Sequence, residues 1–85
     1  MTFEAELFRI PGKGGWTFVV VPPEAAPSPT RPWGRTPVDA VVDGVAFATS
    51  VWADRDRGCL LAVPARIRRG KEHGDVVTVS VEARE

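Results

Sequence analysis

Apolar and polar residues alternate along most of this chain, and the alternation breaks at prolines and glycines. Over Thr2–Ile10, Phe3, Ala5 and Leu7 fall on one face and Glu4, Glu6 and Phe8 on the other. That period of two predicts a half-buried strand. Pro11-Gly-Lys-Gly-Gly15 reads as a turn and Trp16–Val21 as a second strand, so residues 2–21 are expected to form a hairpin. Val38–Val42 and Val45–Val51 follow as strands joined at Asp43-Gly44, a strong two-residue hairpin signal. Ala53–Gly58 is a polar loop, Cys59–Val63 a fifth strand and Val76–Ala83 a sixth, with Val77, Val79 and Val81 sharing a face. Between the last two, Pro64 opens a short basic helical turn that ends at Gly70, and Gly74-Asp75 reverses the chain. Six short strands with no long helix and no repeat predict an all-β closed barrel of one domain, residues 1–85, since closure removes exposed strand edges.

One long segment interrupts this pattern. Pro22–Pro37 holds six of the eight prolines, which supply no backbone donor, so an interior strand is not expected there. A single helical turn at Glu24-Ala25-Ala26 fits its start. Its far end, Thr30–Arg35, sets Arg31 and Arg35 around Trp33. A connection this long in so small a domain is often functional.

Composition narrows the classes. Eleven basic and eleven acidic side chains balance, so no global field gathers nucleic acid. Residues 55–71 are nevertheless locally basic, with Arg55, Arg57, Arg66, Arg68, Arg69 and Lys71 against Asp56. Residues 72–85 are locally acidic. The single cysteine, Cys59, lies in an apolar run and reads as a buried strand thiol. No apolar leader follows Met1, and no run is long enough to cross a bilayer, so a cytoplasmic location without a membrane partner is expected.

Catalytic patterns are weak. Gly12–Gly15 enters a strand, whereas a phosphate loop enters a helix. Asp54 and Asp56 are separated by an arginine and lack further oxygen ligands for a metal. His73 is the sole histidine, and a Cys59–His73 nucleophile pair requires a thiol that the strand is expected to bury. No cofactor is read. The aromatics carry more. Phe18 and Phe47 are expected in the core, and Trp16 at the barrel end. Trp52, out of phase with Val45, Phe47, Thr49 and Val51, should face away from them.

The ordered set Trp16-Thr-Phe-Val-Val-Val-Pro22, Arg35-Thr-Pro-Val38, Val42-Asp-Gly-Val-Ala-Phe47, Thr49-Ser50, Leu61-Ala-Val-Pro64, Arg68 and Gly74-Asp-Val-Val-Thr-Val79 resembles the bacterial and archaeal domain-of-unknown-function family nineteen-oh-five. The resemblance implies a double-split β-barrel, alone or ahead of a bacteriocin-protection-type domain. With the chain ending at Glu85, the lone form is expected. It brings no catalytic residues. The proline-rich 22–37 segment and Val51-Trp-Ala-Asp54 depart from the pattern, and a specialised role would sit there. Val63–Val79 is also similar to the swapped-hairpin barrels of transition-state regulators and antitoxins, which bind DNA as dimers.

Three readings stand. In the first, a non-enzymatic binding or accessory module engages a small molecule or protein at the barrel opening or the 22–37 loop, through Trp16, Arg31, Trp33, Arg35 and Trp52. In the second, a small barrel enzyme positions an apolar substrate by shape alone. In the third, a dimeric regulator holds nucleic acid through Arg66, Arg68 and Arg69. The first leads, nucleic acid is disfavoured by the balanced charge, and the protein is expected as a monomer or homodimer.

Overall fold

The structure, a computed structural model, describes residues 2–10, 16–26, 35–54 and 56–84. In chain order these form β1 (Thr2–Glu6), β2 (Phe8–Arg9), β3 (Thr17–Val21), β4 (Arg35–Val42), β5 (Val45–Asp54), β6 (Gly58–Ala62), α1 (Ala65–Arg68) and β7 (Val76–Ala83). The strands make one sheet in the order β1-β7-β4-β5-β6-β3-β2, all pairs antiparallel. The two strands at the ends of that order, β1 and β2, are separated in the chain by Leu7 alone, so the chain itself joins the two margins of the sheet. The result is the expected small barrel with one short helical turn.

The strand count is seven because the first run changes partner partway. Thr2–Glu6 pairs with β7, and Phe8–Arg9 pairs with β3. At the changeover, the Leu7 N–H donates to the Asp75 carbonyl at 2.8 Å, and the Leu7 carbonyl accepts from the Gly74 N–H at 2.8 Å. The expected hairpin over residues 2–21 therefore forms only in its outer part, where the Ile10 N–H also reaches the Trp16 carbonyl at 3.0 Å.

Inward-facing residues fill the barrel: Val19 and Val21 from β3, Val38, Ala40 and Val42 from β4, and Phe47 and Val51 from β5. Leu61, Val63, Val77, Val79 and Val81 complete the ring, and Ile67 on α1 closes one end. The alternation along each strand places them. Pro37 corrects the sequence reading, since it lies inside β4, between β5 and β7. It is tolerated because its carbonyl points to the β7 side, where it accepts from the Arg84 N–H at 2.9 Å just beyond the end of β7. Its missing N–H therefore falls where the ladder is already ending. The helical turn at residues 24–26 is present, with the Ala25 and Ala26 N–H groups donating to the Pro22 carbonyl at 2.9 and 3.0 Å. Among the described residues no helix is long and apolar enough to cross a membrane.

The β4–β5 turn has positive φ at both Asp43 (48°) and Gly44 (83°), the signature of a two-residue type I′ turn. Asp43 also ties the turn to its neighbour. One carboxylate oxygen accepts from the Thr78 N–H at 2.8 Å, and the other meets Lys71 Nζ at 2.8 Å. The Lys71 ammonium, then the Thr78 N–H, hold the Asp43 carboxyl below its ordinary value of 3.8. A lowered folded-state value means the contribution is present above pH 3.8 and fades as pH falls through the folded value. Asp43→Asn is expected to cost about 1 kcal/mol at pH 7. In urea titrations, the gap from the parent protein should narrow below pH 3.8. A gap independent of pH contradicts this assignment.

Candidate functional site

Three of the five residues expected at a ligand site meet on the outside of the barrel. Trp16, Arg35 and Trp52 line one open groove of about 400 Å³, with Ala48, Thr49, Ser50 and Arg84 among its other walls. Arg31 and Trp33 lie outside the described residues. The register of β4 on β5 sets Arg35 opposite Trp52. The guanidinium carbon stands 5.3 Å from the Trp52 ring centroid, a cation–π contact. The sequence held this signal, because in a hairpin turning at Asp43-Gly44 residues equidistant from the turn pair, Arg35 with Trp52 among them. Ending the strand at Val38 hid it. As expected from its phase, Trp52 faces outward and is 42% exposed.

Trp16 is 55% exposed and stacks on Phe18 at 6.3 Å with planes 18° apart. Phe18 is buried as expected. It lies on the outer face of β3, between Trp16 and Phe8, whose ring centroid lies 6.0 Å away. Leu60 also faces outward, opposite Val20 and Trp52, yet is 4% exposed. Strands β3 and β6 are thus apolar on both faces, as their unbroken runs Phe18–Val21 and Cys59–Val63 indicate.

The basic turn does not present its arginines alike. Arg68 Nη1 donates to the Val63 carbonyl at 2.8 Å and Nε to the Lys71 carbonyl at 3.2 Å, so this side chain braces the turn from within. Arg66 and Arg69 are exposed, and Arg69 caps the helix at φ 55°.

The remaining polar candidates serve turns. Asp54 Oδ1 accepts from the Arg57 and Asp56 N–H groups, each at 2.9 Å, and these bonds hold its carboxyl below the ordinary range. Asp75 accepts from the Glu72 N–H at 2.8 Å, closing the reversal as a turn-forming aspartate does. His73 Nδ1 accepts from the Arg9 N–H at 3.0 Å, which ties that turn to β2. Cys59 is half-buried, and burial pushes its thiol up, away from nucleophilic character. A second groove, about 480 Å³ and not anticipated from sequence, runs past Glu4, Glu6, Phe8, Val20 and His73. Both grooves are lined mainly by outward-facing residues, whereas side chains occupy the barrel interior.

The family model described as "Domain of unknown function (DUF1905)" matches residues 3–81. No curated protein matches the chain.

Proposed function

Because the chain belongs to the domain-of-unknown-function family DUF1905, membership brings no activity with it, and we propose from the geometry that it is a non-enzymatic binding module. Its site is the outer groove of Trp16, Arg35 and Trp52. The supporting observation is the Arg35 guanidinium held over an exposed indole, in a groove with a second exposed tryptophan. Exposed tryptophans cost solvation and are concentrated at contact surfaces. An arginine fork adds a site for a carboxylate or phosphate. The ligand is therefore a molecule or protein segment with an apolar body and an anionic group. A lone, half-buried thiol suits a reducing compartment, so the proposal is of a cytoplasmic module, monomeric or homodimeric.

The other two readings have less support. Catalysis by shape alone needs an enclosing cavity, and the interior is occupied by valine, leucine and phenylalanine side chains. The nucleic-acid reading keeps Arg66 and Arg69 but loses Arg68 to the turn.

The test titrates a panel of aryl carboxylates and their neutral amides into labelled protein and follows backbone amide shifts. Carboxylates should move the amides around Trp16, Arg35 and Trp52, and the neutral amides should bind several-fold more weakly. Arg35→Ala is expected to weaken carboxylate binding about tenfold with the melting temperature nearly unchanged, since Arg35 is exposed. Shifts confined to the Glu4–His73 groove, or none at all, defeat the proposal.

A further inference from the structure

The barrel is open along one edge of β5. That strand pairs with β4 over Val45–Trp52 but with β6 only over Val51–Asp54. Strand β6 ends at Ala62, and Pro64, which has no N–H for a further rung, turns the chain into α1. Among the described residues, no strand pairs with the second edge of Val45–Ser50.

The phase of the ladder shows which backbone groups that edge presents. In an antiparallel strand, alternate residues direct both N–H and C=O to the same side. The Pro37 carbonyl points to the β7 side, where it accepts from the Arg84 N–H. Thr36 therefore faces β5, and its partner Val51 faces back toward β4. One step out of that phase, Ala46, Ala48 and Ser50 direct their backbone groups to the unpaired edge. Ala48 and Ser50 line the tryptophan–arginine groove.

Proteins blunt an open edge with charge, proline or a bulge. Val45-Ala-Phe-Ala-Thr-Ser50 carries no charged residue, no proline and no glycine. This edge is instead flanked by apolar and cationic groups. Among the described residues no carboxylate lines the groove. Arg84 meets Asp39 at 3.4 Å, while Arg35 has no carboxylate within ion-pair reach among the described residues.

Building on the groove as the binding site, we infer that its occupant is an extended acidic segment of a partner protein, which adds to β5 as a further strand beside Ala46–Ser50. Main-chain hydrogen bonds to the Ala48–Ser50 edge supply affinity, and alternate side chains supply specificity. On the outer face the acidic side chains meet Arg35 and lay their methylene stems against Trp52 and Trp16, while the alternate apolar side chains turn to the barrel side. A second copy of the chain suits the edge less well: its own Val45–Ser50 offers no carboxylate, and it brings a further Arg35 and Arg84.

The probes are capped octapeptides, one alternating glutamate with valine and one alternating lysine with valine. Two further forms of the acidic peptide are N-methylated, one on its valine nitrogens and the other on its glutamate nitrogens. Strand addition uses one edge of the peptide. Hence one methylated isomer should bind at least about tenfold more weakly while the other stays within about threefold. The Ala48 and Ser50 amides should shift and exchange more slowly, and the lysine peptide should bind at least about tenfold more weakly than the acidic one. Equal loss or equal retention in the two isomers overturns strand addition, as does stronger binding of the lysine peptide. Protection of Ala48 and Ser50 without peptide, together with a dimer in sedimentation, assigns the edge to a second copy and also overturns it. If no peptide binds but aryl carboxylates still do, the strand inference falls and the groove reading survives; if neither binds, both fall.

Discussion

Leu7→Ala is expected to lower stability by about 3 kcal/mol, more than any surface substitution in the molecule. Leu7 is 0% exposed, and it stands at the one position where the first chain run leaves β7 and joins β3. Its backbone is held on both sides by the Gly74–Asp75 turn, while its side chain enters the core. Truncation leaves a cavity where the two margins of the sheet are joined, and hydrogen-bonded backbone on either side limits collapse into that space. A domain of this size has a total stability of roughly 5–10 kcal/mol, so the loss is a large share of it. In thermal unfolding followed by circular dichroism, the midpoint should fall by about 12–24 °C. Val20→Ala, on the exposed outer face, serves as the comparison and should shift it by a few degrees at most. A Leu7→Ala shift no larger than that of Val20→Ala shows that closure of the barrel does not depend on this side chain.

Leu7 also marks the boundary of what sequence periodicity could reveal. Alternation over Thr2–Ile10 correctly placed Leu7 inward, because side-chain direction depends only on position along the strand. It could not name the partner of each half. That depends on the Gly74-Asp75 reversal, far along the chain, arriving beside residue 7. The Asp43-Gly44 hairpin, β7 with its three inward valines, and the Pro64 helical turn were legible because each is set by residues adjacent in sequence. Pro37 was misplaced because a rule about donors was applied without knowing which side of β4 the proline nitrogen faces. Phe18 is buried as read, but the face it packs on was not legible, because its strand is apolar on both faces, where a period of two is silent. For the site, phase alone sent Trp52 outward, and counting from the turn could have brought Arg35 to it. The groove beside them arises where β6 leaves β5, a divergence that neither strand's pattern records.

Arg68→Ala is the substitution that separates a structural basic turn from a nucleic-acid surface. A four-residue helix cannot satisfy its own terminal carbonyls, and the flanking chain leaves others without partners. The Arg68 guanidinium spans this gap, reaching the Val63 carbonyl at 2.8 Å and the Lys71 carbonyl at 3.2 Å, with its side chain 15% exposed. Glu72, 3.9 Å from its other terminal nitrogen and largely in solvent, adds little. Removing the arginine strands the Val63 carbonyl beside the barrel end and should cost about 2 kcal/mol, lowering the melting midpoint by about 8–16 °C. Arg68→Lys should recover less than half of this, because a single ammonium cannot reproduce a fork that reaches two carbonyls. Arg66→Ala removes a neighbouring charge that is solvated and should change stability by less than about 0.5 kcal/mol. The charge removed is the same in both alanine variants, so the contrast isolates the hydrogen bonds. If instead Arg68→Ala and Arg66→Ala melt alike, and both weaken binding of a labelled DNA duplex with a shallower salt dependence, the turn is an electrostatic surface. In that case the nucleic-acid reading displaces the groove.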